Sequence, residues 1–146
     1  MDIPLIGKWR RRHGVARGFA VYTDGAPDAT GVAELLGECE LLRARAADDG
    51  VDLDDTPESL AALDQLAPSW RDDEEVLSDL GNDAGLYLGT VMVLTVPDAA
   101  WEILPNGRPV VRLASGREID TVAIGHAWAE SGSPELSQVL AESSED

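Results

Sequence analysis

Two histidines, one cysteine, two runs of acids and one run of bases are the side chains in this sequence that could do chemistry. His126 is the natural proton-transfer group, because imidazole changes charge near neutral pH. On a helix it shares a face with Val122 and Glu130, four residues either side. A catalytic role would need a nucleophile or a second acid beside it, and the sequence nominates neither. The plainer reading is a histidine at the edge of the core, stabilised by Glu130. His13 sits among bases and is expected to be solvated. Cys39 falls on an apolar stripe with nothing nearby to lower its pKa, which makes it a core thiol and not a nucleophile.

Asp48, Asp49, Asp52, Asp54 and Asp55 raise the question of calcium. An EF-hand loop needs glycine at its sixth position and acids at its first, third and fifth. Counting back from Gly50 puts Arg45 first, so the pattern fails. A solvated acidic connector explains the run better, and the same holds for Asp72, Asp73, Glu74 and Glu75. No nucleophile elbow, P-loop, dinucleotide fingerprint or zinc-protease helix occurs. Trp101 and Trp128 read as core aromatics. No catalytic, cofactor-binding or metal-binding residue is assigned, and no cofactor is expected.

The base run has the most unusual setting. Lys8, Arg10, Arg11, Arg12 and Arg17 face only Asp2 within the first twenty residues, a local balance of +4. The whole chain carries −17, so the remainder carries −21. Ile3, Leu5 and Ile6 followed by Lys8, Trp9, Arg10, Arg11 and Arg12 could lie on an anionic membrane or meet phosphates. The acidic remainder would repel either polyanion over a Debye length of about 8 Å. Docking on the chain's own acidic body suits the segment better. The possible interaction residues are therefore Lys8, Trp9, Arg10, Arg11 and Arg12, with Asp72, Asp73, Glu74 and Glu75. Ten of the eleven bases are arginine, which fits the codon bias of a GC-rich genome and is no recognition signal in itself.

The elements that must position these residues follow from periodicity. A chain of 146 residues is long enough for one domain that folds without disulfide or metal. We expect a basic arm over 1–17, one α+β domain over 18–141 and an acidic tail over 142–146. Gly18 to Tyr22 reads as a short strand. Val32, Leu35, Leu36, Cys39, Leu42 and Ala46 make one stripe of a helix from Thr30 to Asp49, ended by Gly50. Thr56 and Pro57 start a second helix with Leu60, Leu63, Leu66 and Ala67 inward, stopped by Pro68. Asp73 to Leu80 predicts a short third helix closed by Gly81. Residues 83–95 suit strand or helix, and helix is favoured; Gly85 and Gly89 would then share a face and permit close backbone contact.

Pro105-Asn106-Gly107 separates two extended runs. A three-residue loop with Gly107 left-handed sets Trp101 opposite Val111 and Ile103 opposite Pro109. That register puts Trp101, Ile103, Val111 and Leu113 on one face, with Glu102, Val110 and Arg112 on the other. The turn at Ala114-Ser115-Gly116 then pairs Arg112 with Glu118 and Val111 with Ile119. Asp120 caps a helix to about Glu130 that buries Ile124, Ala127 and Trp128. Pro134 opens a last helix carrying Leu136 and Leu140. The fold class is α+β, about five helices against a small antiparallel meander.

Five motifs together resemble an uncharacterised actinobacterial family of short acidic proteins, typical of Streptomyces and defined as a domain of unknown function. They are Trp9 to His13, Gly18 to Tyr22, Gly81 to Gly89, Trp101 with Pro105 to Pro109, and Gly116 to Asp120. The resemblance implies that the Tyr87-Leu88-Gly89 segment is helical and packs on the hairpin. It implies no activity.

No stretch reaches the roughly 18 apolar residues of a membrane span, and the start of the chain lacks a secretory pattern. A soluble cytoplasmic protein without integral membrane association is expected. Charge and absent motifs favour a non-enzymatic interaction or regulatory module that offers an acidic surface to a basic protein partner, with no nucleic acid. The alternative is a small-ligand module with a cleft between helices and meander. A second alternative is an enzyme using His126. Oligomeric state stays open.

Overall fold

A computed structural model describes residues 29–71 and 74–145. The basic segment around Lys8, Trp9, Arg10, Arg11 and Arg12, the expected strand at Gly18 to Tyr22, and Asp72 and Asp73 all lie outside the described residues. The remainder is α+β as expected. Its elements run α1 (Ala29–Leu36), α2 (Glu40–Asp48), α3 (Pro57–Trp70), α4 (Glu74–Thr95), β1 (Ala100–Ile103), β2 (Pro109–Arg112), β3 (Glu118–Ile119), α5 (Thr121–Ser131) and α6 (Leu136–Ser144).

The centre is α4. Leu80, Ala84, Leu86, Tyr87, Leu88, Val91 and Met92 leave almost no exposed surface on any side, as expected of a helix surrounded by others. The segment that suited strand or helix is therefore helical, and longer than expected. Gly81 does not close a short helix but lies inside one continuous helix of 22 residues. Its missing side chain is used for packing: a Cβ there would come within 2.9 Å of the His126 ring. Gly85 and Gly125 meet where α4 crosses α5, and a Cβ on Gly85 would stand 2.6 Å from the Val122 backbone. Gly89, one turn on, has the Trp101 indole where its side chain would be. The expected packing of this segment on the hairpin is thus present.

The meander has the expected register. Trp101 pairs with Val111, Ile103 with Pro109, Val111 with Ile119 and Arg112 with Glu118. Gly107 and Gly116 carry positive φ at 85° and 93°, and the first turn is closed by Gly107 N–H to Leu104 O at 2.8 Å. Val111, Leu113 and Ile119 enter the core, joined by the half-buried Trp101 and Ile103.

Four local expectations are corrected. The first helix is not continuous: α1 ends at Leu36 and α2 begins at Glu40, with Cys39 left-handed at φ 43°. Pro68 does not stop α3, which runs two residues further to Trp70. A proline in the last turn sacrifices little beyond one backbone bond, and buried Trp70 holds the end by donating to Asp49 Oδ2 at 2.7 Å. On α5, Ala127 faces out, and Gly125, Trp128 and Ala129 face in, because the close approach of Gly125 to Gly85 at the α4 crossing sets the rotation of the helix. The last helix begins at Leu136, after Pro134, and continues through Ser144 into the expected tail, with Ser143 buried.

Candidate functional site

The break between α1 and α2 anchors a polar network that reaches the α2–α3 connector and α4. A helix end leaves carbonyls or amides without partners, and here both kinds fall within three residues. Arg43, on the first turn of α2, folds back over the end of α1. Its Nε donates to Glu38 O at 3.0 Å and its Nη2 to Gly37 O at 2.8 Å. A cation capping a helix C-terminus also suits the dipole. The amide end of α2 is satisfied from a different helix. Cys39 offers no side-chain cap, and Asp83, buried on α4, accepts from Leu42 N–H at 3.2 Å.

Arg43 then reaches the α2–α3 connector. Nη1 donates to Leu53 O at 2.6 Å, and Nη2 bonds Asp55 Oδ1 at 2.9 Å. The guanidinium lies over the Tyr87 ring, 5.1 Å from its centroid, a cation–π geometry. Tyr87 Oη accepts from Asp55 N–H at 2.8 Å and lies 2.7 Å from Ser59 Oγ. Ser59 spends its proton on Thr56 O at 2.6 Å, so Tyr87 donates to Ser59. Burial opposes the Arg43 charge, but the bond and charge of Asp55 outweigh it and raise the pKa. For Tyr87, burial dominates and raises the phenol.

This network fixes the shape of the connector. Gly50 N–H to Ala47 O and Val51 N–H to Ala46 O close α2 as a Schellman motif, with Gly50 at φ 83°. Leu53 is buried, and Thr56 Oγ1 caps α3 by accepting from Ser59 N–H. From this fixed backbone Asp48, Asp49, Asp52, Asp54 and Glu58 project as an exposed acidic rim. The described ion pairs neutralise part of this acidic surface, two of them beside the rim. Arg43 pairs with Asp55, Arg45 with Asp49 and Arg108 with Asp120, while Arg112 spans Glu102 and Glu118.

The Arg112 triad has two unlike carboxylates. Glu102 lies below the usual carboxylate range, held there first by Arg112 and next by hydrogen bonding with Glu118. Glu118 lies above it, because its bond to Glu102 and the charge of Glu102 favour the protonated form. The pair therefore releases its protons in two linked steps.

The expected site residues are scattered. His126 is exposed on α5 against Gly81, and no bond joins it to Glu130 among the described residues. The pair expected four residues apart does not form. Cys39 is buried, with Sγ 3.6 Å from Leu36 O, and burial followed by the Asp83 charge pushes the thiol well above its usual pKa. It stays protonated at neutral pH. Trp128 is buried and donates to Asp64 Oδ1 at 2.9 Å. Glu74 opens α4, and Glu75 on its first turn is exposed. Among the described residues no group of histidine, cysteine and carboxylate side chains could hold a metal, and no helix is long and apolar enough to cross a membrane.

Sequence reasoning missed Arg43, Asp83, Asp64 and Tyr87. The signal for Asp83 was present, since it adjoins the apolar run from Ala84 to Leu94 and an acid drawn into the core there needs a donor. No curated protein and no solved structure matches the chain. The family model that does match covers residues 1–146, and the chain belongs to that family of unknown function, DUF6278.

Proposed function

We propose that this chain is a non-enzymatic interaction or regulatory module that presents the α2–α3 acidic rim to a basic protein partner. The observation that carries the reading is the network of bonds in the backbone beneath the rim. Asp48, Asp52, Asp54 and Glu58 project from backbone held by the Gly50 cap, the Arg43 bonds and the Tyr87 hydroxyl. Charges fixed before association cost less ordering entropy when a partner arrives. The wider charge of −17 steers a basic partner towards the surface and repels polyanions.

The test compares two variants of equal net charge, with a lysine- and arginine-rich peptide as probe. One reverses the rim (Asp48→Lys, Asp52→Lys, Glu58→Lys); the other reverses distant exposed acids (Glu130→Lys, Glu142→Lys, Glu145→Lys). Calorimetry at low salt should show the rim variant losing at least about tenfold in affinity, the scale of one well-placed charge pair. The control variant should lose much less. Equal losses would mean that only overall charge matters and the rim is not a site.

A further inference from the structure

A single carboxylate from another helix caps the last described helix. Helix α6 enters the fold without an N-cap of its own, since Glu135 makes no side-chain capping bond. Asp64, half-buried on α3, supplies the cap from outside. Its Oδ1 accepts from Leu136 N–H at 2.8 Å and from the Trp128 indole at 2.9 Å. Its Oδ2 accepts from Ser137 N–H at 3.0 Å and Ser137 Oγ at 2.7 Å. Four donors from α5 and α6 therefore converge on one side chain of α3. Below this cap, Leu136, Val139 and Leu140 bury the apolar face of α6. The other end of α6 is closed within the helix itself, by Glu145 N–H to Glu142 O and Ser144 Oγ to Leu140 O.

We infer that α6 is a releasable strap and that Asp64 is the positioning residue that latches it. Among the described residues, the bonds that tie its first turn to another helix all end on this carboxylate, and the α4–α5 crossing at Gly85 and Gly125 uses none of them. Release bares the apolar surface beneath Leu136 and Leu140, which α6 otherwise covers. Proteins open in such units when a peripheral element has few independent attachments. The inference is independent of the acidic rim, none of whose acids bonds Asp64, α5 or α6 among the described residues.

A helix alone and a latched helix respond in opposite ways to charge at Ser137. An acid in the first turn stabilises an isolated helix through the dipole. Against Asp64 it sets two carboxylates face to face. Ser137→Asp should therefore loosen α6 in the native chain and cease to do so in the Asp64→Asn background. Asp64→Asn keeps the shape but turns an amide towards two of the donors.

Hydrogen exchange read by mass spectrometry on the full chain follows residues 136–144 beside residues 80–92. Asp64→Asn should speed exchange in α6 by about tenfold or more, the usual scale of a lost cap, with little change in α4. Ser137→Asp should act in the same direction, and the double variant should be no looser than Asp64→Asn alone. Should Asp64→Asn not fold, Ser137→Ala removes one of the four bonds and should give a smaller rise confined to α6. Equal acceleration of α6 and α4 in any of these variants would overturn the inference, as would unchanged α6 exchange in Ser137→Asp.

Discussion

The hairpin and the α1–α2 joint are each built around a turn, yet they are specified in opposite ways. In the hairpin, Gly107 and Gly116 accept positive φ without strain, and each turn closes on bonds between near neighbours. Its ion pairs lie on the surface, where such contacts contribute little. At the α1–α2 joint, Cys39 takes a left-handed conformation that disfavours any residue with a Cβ. The joint holds because Asp83 arrives from 41 residues away and Arg43 folds back across it. One turn is written in local residues, and the other is imposed by neighbours.

Breaking the helical side should cost most. Gly125→Ala would drive a methyl into the backbone of Gly85, 2.6 Å from its Cα. Neither helix can yield there without moving the crossing, so a loss of about 3 kcal/mol is expected in urea denaturation. Asp83→Ala comes next. It strands the Leu42 amide in the core, a loss of about 2 kcal/mol, read from the same denaturation curves.

The Cys39 thiol reports the joint directly. Buried and protonated, it should react with a disulfide reagent orders of magnitude more slowly than a free thiol at pH 8. Asp83→Ala should accelerate that reaction, and Arg112→Ala should not. A raised thiol pKa also fixes a sign. Its contribution to stability is complete below the unfolded thiol's pKa and is lost as pH rises through the folded value. Native Cys39 should therefore destabilise at alkaline pH more than Cys39→Ala does.

The hairpin should show the smallest effects. Arg112→Ala should leave the urea midpoint unchanged within error. Its visible consequence is on titration, followed by carboxyl NMR. Glu102, held low by Arg112, should move up, and the separation between Glu102 and Glu118 should narrow. The signs oppose each other. The lowered Glu102 adds stability that is lost as pH falls through its folded pKa. The raised Glu118 adds stability that is lost as pH rises through its own. Acid should thus perturb this face weakly.

The same contrast explains what could be read from sequence. Hairpin register was legible because Asn106-Gly107 and Ser115-Gly116 restrict the loop, and alternation then decides which face is buried. The helical character of 83–95 was legible from length and from Gly85 and Gly89. The break at Gly37 to Cys39 was not, since Val32, Leu35, Leu36, Cys39, Leu42 and Ala46 keep helical spacing straight through it. Gly81 looked like a stop because its use, contact with His126 on another helix, involves a residue 45 positions away. Nothing in the sequence marks out Arg43 or Asp64, and only the fold shows each collecting several donors or acceptors. The acidic rim was visible as composition; the bonds that hold its backbone were not.

The functional account stands on fixed surface charge, and the salt dependence of binding tests it most directly. A lysine- and arginine-rich peptide titrated into the full chain at rising sodium chloride should lose affinity steeply, because counterions screen exposed charges within about a Debye length. Rim reversal should flatten that dependence. Affinity that holds constant with salt, or a slope that the rim variant leaves intact, would contradict the account.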